Sequence, residues 1–173
     1  MSVKTELTDL TQVMEKLRSE AFVDKSKMSL FGASQGGVVA SLYAAAYPDR
    51  VHKLMLIFPA FVLFDDAKAT YHELGSPDFD QLPDSLTHHN TTLGKIYLID
   101  ALNIDIQAEQ AKITSPTLII HGTDDAVVPY QYAVEASQTI PNAKLVTVEG
   151  GGHRIDERFA ITAAPAIQKF LKE

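Results

Sequence analysis

The chain has 173 residues, a length that suits one domain and leaves no room for two of full size. Lys and Arg number 15 against 22 Asp and Glu, and the formal net charge of −7 argues against non-specific binding to nucleic acid or to an anionic membrane. The absence of cysteine excludes disulfides, thiolate metal sites and a cysteine nucleophile, and it fits a cytoplasmic protein.

No membrane segment is predicted from the sequence. The first dozen residues lack the apolar core of a signal peptide. The longest apolar run covers residues 54–64 and is interrupted by Pro59. A spanning helix needs about 20 apolar residues, so this run is too short.

The first predicted elements are a helix, a strand and a second helix. Apolar residues at helical spacing predict a helix that ends before Lys25. An apolar run predicts a strand over residues 27–31. The Ala-rich residues 35–47 then predict a helix that stops at Pro48, because the residue before a proline disfavours helical backbone.

A serine stands between this strand and the second helix, in Gly32-Ala33-Ser34-Gln35-Gly36. A strained turn of this kind presents the serine hydroxyl above the sheet, and side chains at the two glycine positions are expected to collide there. The backbone amide of Gln35, at the helix N-terminus, is the candidate donor to an oxyanion. An ordinary glycine turn that opens a helix has the same pattern, so the partners of Ser34 decide its meaning.

The middle of the chain interrupts the alternation of helices and strands. A strand is predicted over residues 53–58, and residues 60–112 then hold prolines, glycines and a polar stretch around His88 and His89. A structureless loop of that length is improbable, so we expect an inserted cap with short elements of its own. The two histidines lack further ligands at recognisable spacing, and no metal site is expected.

The alternation resumes in the C-terminal part. Strands are predicted over residues 117–121 and 144–149, a helix over 132–140, and a last helix from Phe159 onward with a possible kink at Pro165. Helices that alternate with apolar strands are typical of an α/β fold with a mainly parallel sheet flanked by helices. We expect residues 1–173 to form one such domain.

Polar loops follow the last two predicted strands. Asp124 and Asp125 come after the first of them, and His153 follows a glycine run after the second. The carboxyl ends of parallel strands share one edge of the sheet, so these side chains are expected to meet Ser34 there. A serine nucleophile needs a base and a group that orients the base, roles that suit His153 and one of the two aspartates.

The order Ser34, Asp125, His153 is that of the α/β-hydrolases, and the sequence resembles that superfamily over its entire length. It is most similar to the bacterial cinnamoyl (feruloyl) esterases. The matching stretches are QGGVVAS at 35–41, YPD at 47–49, PA at 59–60, LG at 93–94 with Tyr97, and IHGTDD at 120–125. The resemblance implies Asp125 rather than Asp124 as the acid, and a structural role for His121.

The resemblance also implies a way of binding substrate. It places Asp66 and Tyr97 of the cap at the phenolic end of a hydroxycinnamoyl ester. By residue type alone, Asp65 and Asp66 are expected to be charges in a solvated loop. Glu73 lies where this family more often has an amide, and we assign it no role.

The chain departs from the family pattern at its start. Several strands are expected before the nucleophile strand, and only one predicted helix precedes it, so about 70 residues of β and βα units are expected to be absent. The second oxyanion donor belongs to this segment and is expected to be absent too. The loss of one such donor typically slows turnover about 10²–10³-fold. The strand at 27–31 then becomes an apolar edge, and we expect a homodimer or aggregates.

The function implied by the resemblance is that of a serine carboxylic-ester hydrolase acting on a small aromatic ester, with no cofactor. Two alternatives stay open. A serine peptidase or aminopeptidase uses the same three residues, and only the cap separates it from an esterase. A truncated, non-catalytic remnant that pairs through its exposed edge is the other alternative, favoured by the missing oxyanion donor.

Overall fold

The computed structural model describes residues 1–88 and 91–173. The strands are β1 (Leu30–Ala33), β2 (Leu54–Ile57), β3 (Ser85–His88), β4 (Thr91–Gly94), β5 (Thr117–Gly122) and β6 (Ala143–Val148). The helices are α1 (Val3–Ser19), α2 (Gln35–Ala46), α3 (Leu63–Glu73), α4 (Lys95–Leu102), α5 (Ile106–Gln110), α6 (Gln131–Thr139) and α7 (Glu157–Lys172). Short 3₁₀ turns occur at Pro48–Arg50 and Phe79–Gln81.

The centre of the fold is a four-stranded parallel sheet in the order β1-β2-β5-β6. Every residue of β2 and β5 is buried, which explains why both have nearly continuous apolar sequences. Successive side chains of β2 enter different cores: Leu54 and Leu56 pack with α2, and Met55 and Ile57 pack with α7. The sheet is therefore covered by helices on both faces, as the sequence predicts.

Strand β1 differs most from its predicted bounds, and helix α7 contains the proline that the sequence marked as a possible kink. β1 begins at Leu30, because its ladder with β2 starts at the pair Leu30–Leu54, and it extends to Ala33 rather than ending at residue 31. Helix α7 continues through Pro165. Its inward residues, Phe159 among them, pack on the sheet on both sides of the proline, and this packing outweighs the poor helix propensity of proline.

The segment between β2 and β5 carries short elements of its own. It contains α3, the antiparallel pair β3–β4, α4 and α5. Helix α1 is fastened to this segment at its first turn: the buried Ser2 hydroxyl donates to Asp100 Oδ2 of α4 at 2.5 Å, and Thr5 completes a capping box. The hydrogen bond from Ser2 to Asp100 thus holds the first turn of α1 against α4, the helix that carries Tyr97.

In the described part of the chain, β1 pairs with β2 alone. Phe31 of this edge strand is 54% exposed. We expect self-association through this edge, and we expect Phe31→Lys to shift the protein toward monomer because a charged edge opposes strand pairing. The measurement is sedimentation at about tens of micromolar.

The matched control for this experiment is Leu171→Lys, on an exposed turn of α7 away from the edge, which should leave the association state unchanged. A wild-type chain that sediments as a 19.0 kDa monomer and melts cooperatively would contradict the expectation.

Among residues 1–88 and 91–173, no helix has the length and apolar character needed to span a membrane.

Candidate active site

The predicted site residues meet at the carboxyl edge of the sheet. Ser34 follows β1, Asp125 lies in the loop after β5, and His153 lies in the loop after β6. His153 Nδ1 is 2.8 Å from Asp125 Oδ2, and His153 Nε2 is 3.0 Å from Ser34 Oγ. With a carboxylate on one side, Nδ1 carries the proton and Nε2 is left to accept the Ser34 hydroxyl.

The turn at Ser34 is strained, and glycines surround it for different reasons. Ser34 has φ +53°, in the left-handed region. A Cβ on Gly32 would lie 2.3 Å from the carbonyl oxygen of Gly36, and a Cβ on Gly37 would lie 2.9 Å from Pro59 Cβ. A Cβ on Gly36 would meet nothing within 4 Å. The steric expectation is therefore right for Gly32 and wrong for Gly36, because the Cβ position of Gly36 points into open space.

Asp125 is buried and held by the backbone of its own loop. Its Oδ1 accepts the N–H groups of Val127 at 2.9 Å and Val128 at 2.8 Å, which leaves Oδ2 for His153. Asp124 is exposed and accepts a hydrogen bond from the hydroxyl of Thr123. The structure thus brings Asp125, and not Asp124, to the histidine.

His121 is fully buried behind Asp125. Its Nε2 lies 2.9 Å from the Val128 carbonyl oxygen and 3.2 Å from Asp125 Oδ2, and its Nδ1 has no hydrogen-bond partner in the described structure. Nε2 is therefore the protonated nitrogen of a neutral ring. Burial lowers the pKa of His121 below its usual value.

This buried histidine should make the protein less stable in acid. As the pH falls below about 6.5, His121 takes up a proton in the unfolded chain while the folded one resists it, so stability is lost as pH falls. We expect the free energy of unfolding in urea to drop between about pH 7.5 and about pH 5.5, and to drop less in His121→Gln. Equal drops in the two proteins would show that His121 is not responsible.

Phe58 is a site residue that the sequence did not indicate. It follows β2 with φ +35°, and its N–H donates to the Ile120 carbonyl at 2.8 Å. Its ring lies 4.4 Å from the ring of His153 and packs edge-on against Phe159. Only the packing in the folded chain reveals that Phe58 supports the histidine.

Gln35 is the first residue of α2, so its backbone N–H has no partner within the helix and lies beside Ser34. This is the geometry expected of an oxyanion donor. Its side chain is held from two directions: Nε2 donates to the Glu6 carboxylate, and Oε1 accepts the hydroxyl of Tyr97. Glu6 was not indicated by any sequence pattern.

Asp66 and Tyr97 line one cavity of about 80 Å³. Its walls are mainly apolar and include Leu63, Ala67, Thr70, Leu86, Leu93 and Leu98. The expected loop position of Asp65 and Asp66 is wrong, because both lie in the first turn of α3, where the helix dipole favours carboxylates. Glu73, at the end of the same helix, is exposed and does not line the cavity.

No cluster of three or more potential metal ligands occurs among the residues described, and His89 lies outside them.

The prolyl oligopeptidase family matches residues 3–173. The chain belongs to this family. The expected α/β-hydrolase fold is confirmed by this match and by the solved structures that superpose on the chain.

Est1E from Butyrivibrio proteoclasticus superposes with a TM-score of 0.85 at 29% identity, covering 100% of this chain and 72% of Est1E. A structure of Est1E with bound ferulic acid gives a TM-score of 0.84 at 29% identity and covers 100% of this chain and 70% of that one. The similarity extends over the whole of the sheet and the segment between β2 and β5.

Two relatives at the sequence level are hydrolases by name. RutD from Stutzerimonas stutzeri, described as a carbamate hydrolase, is 40% identical over 70 residues, which are 40% of this chain and 26% of RutD. Monoacylglycerol lipase ABHD6 from Rattus norvegicus is 26% identical over 198 residues, covering 89% of this chain and 59% of that protein. The chain thus spans less than two thirds of the length of either relative.

Proposed function

We propose that this chain is a serine ester hydrolase that works through an acyl-enzyme. The observation that carries the proposal is the contact of His153 with Ser34 on one side and with the buried Asp125 on the other. A histidine so placed can take the proton of a serine hydroxyl while the carboxylate stabilises the resulting imidazolium.

The reaction follows from these contacts. Ser34 Oγ attacks the ester carbonyl carbon as its proton passes to His153 Nε2, and the oxyanion accepts the Gln35 backbone N–H. The ester C–O bond then breaks, and the departing alkoxide takes the proton from His153. Water, deprotonated by the same nitrogen, attacks the acyl group and releases the acid, and the proton returns to Ser34 Oγ.

We propose a hydroxycinnamoyl ester as the substrate class. The cavity that Asp66 shares with Tyr97 has apolar walls and polar groups that suit the phenolic end of such an acyl group. Similarity to a protein that binds ferulic acid, at 29% identity, supports this choice. A small-molecule ester would then be the partner of this site.

A second candidate is a serine peptidase. The family match favours it, because the family is named for an oligopeptidase. The contacts around Ser34 serve amide cleavage as well as ester cleavage, so these contacts do not separate the two reactions. The measured preference for ester or amide substrates separates the two reactions.

The experiment combines labelling with turnover. We expect a fluorophosphonate to add one adduct mass to the wild-type chain and none to Ser34→Ala, because only an activated serine displaces fluoride. We also expect Ser34-dependent hydrolysis of methyl ferulate and of an aryl acetate, with aminoacyl amides left intact. Cleavage of the amides instead of the esters would favour the peptidase, and no labelling at all would favour a non-catalytic chain.

A further inference from the structure

A chain of hydrogen bonds runs from α1 through Gln35 to Tyr97, one of the residues that line the cavity described above. Gln35 Nε2 lies 2.8 Å from each carboxylate oxygen of Glu6. The hydroxyl of Tyr97 lies 2.8 Å from Gln35 Oε1. These residues belong to α1, α2 and α4, so the contact also ties three helices together at this point.

The carboxylate determines the direction of every bond in this chain. An ionised carboxylate only accepts, so Glu6 must face the NH₂ group of Gln35, and a flipped amide would place oxygen against oxygen. Gln35 Oε1 therefore faces Tyr97 and requires a donor. Burial first, and then the charges of Glu6 and Asp66, raise the pKa of Tyr97, so the phenol keeps the proton that it donates.

Tyr97 has one proton, and Gln35 receives it. The Tyr97 oxygen can therefore only accept any further hydrogen bond, and Tyr97 is one of the residues that line the cavity of about 80 Å³ with Asp66. We propose that Glu6, acting through Gln35, fixes Tyr97 as an acceptor in this cavity and thereby strengthens its preference for aryl groups whose far end carries a hydrogen-bond donor over the matching ethers. Glu6 and Gln35 are positioning residues in this role. The identity of the ligand as a cinnamoyl group rests on the proposed function.

Binding to Ser34→Ala tests the inference without requiring turnover. The probes are 4-hydroxycinnamate and 4-aminocinnamate, which carry a donor, and 4-methoxycinnamate, which does not. By calorimetry we expect the two donors to bind about tenfold more tightly than the ether, the value of one satisfied hydrogen bond. In Ser34→Ala with Glu6→Gln, the preference should fall to about threefold or less, because a neutral amide at position 6 accepts either orientation of Gln35.

Asp9→Asn is the matched control, because Asp9 is an exposed carboxylate of the same helix and should leave the preference unchanged. Gln35→Met is a second route to the same loss, since it removes the acceptor of the Tyr97 proton and keeps the backbone N–H. Equal melting temperatures in these variants would show that the change in ligand preference comes from the altered positioning of Tyr97 and not from a loss of structure.

Each outcome decides the matter. A donor preference that survives both Glu6→Gln and Gln35→Met would overturn the role of Glu6, and binding of the ether as tightly as the phenol would overturn the acceptor role of Tyr97. Failure of all three acids to bind would overturn the inference as a whole. Failure of the proposed function is distinguishable, because it appears as absent Ser34-dependent ester hydrolysis while the donor preference in binding persists.

Discussion

Replacing Asp125 by asparagine is expected to lower kcat for ester hydrolysis by about 10³–10⁴-fold. The asparagine oxygen can still accept the N–H groups of Val127 and Val128, so the NH₂ group faces His153 in place of Oδ2. Nδ1 must then accept rather than donate, which moves the ring proton to Nε2. A protonated Nε2 in neutral histidine cannot take the proton of Ser34.

The matched control is Asp124→Asn, which removes the neighbouring carboxylate from an exposed position. We expect kcat to stay within about twofold of wild type, because Asp124 does not contact His153. The assay is steady-state hydrolysis of an aryl acetate, with the free energy of unfolding measured in parallel because His121 also lies near Oδ2. Similar losses of activity in the two variants would refute the assignment of Asp125.

Gly32→Ala is expected to destabilise the protein by about 3 kcal/mol, whereas Gly36→Ala should change stability by less than about 1 kcal/mol. The added Cβ at Gly32 would lie 2.3 Å from the oxygen and 2.7 Å from the carbonyl carbon of Gly36. These are backbone atoms, so the strand and helix themselves must separate. The Cβ at Gly36 enters open space on a helix, where alanine is the better helix former.

Urea unfolding of the two variants and the wild type measures this difference. Both substitutions add one methyl group inside the same five-residue motif, so a general effect of added volume would act on both alike. Comparable midpoints for Gly32→Ala and Gly36→Ala would show that the close approach of strand and helix at Gly32 is not a constraint on the fold.

Most of the architecture was predictable because it depends on local patterns. Strands β2 and β5 are predictable from their nearly continuous apolar sequences, since both of their faces are buried. The predicted bounds of the edge strand β1 are less accurate, because the strand begins and ends where its hydrogen-bonded ladder with β2 does. The prediction that Asp66 lies in a solvated loop is wrong for a related reason. The residue type alone indicates a solvated charge, and only the structure shows that Asp66 lies in the first turn of α3.

By itself, the sequence pattern determined the parallel α/β fold, the candidate serine and histidine, and a choice between Asp124 and Asp125, because each follows a strand in a loop whose composition is visible along the chain. The tertiary structure alone decided which groups touch. His153 meets Ser34 across a separation of 119 residues, and Tyr97 meets Gln35 across 62. The support that Phe58 gives to His153 and the anchoring of Gln35 by Glu6 leave no local pattern, because they arise where separately formed helices and strands pack together, and periodicity records only which face of each element is buried.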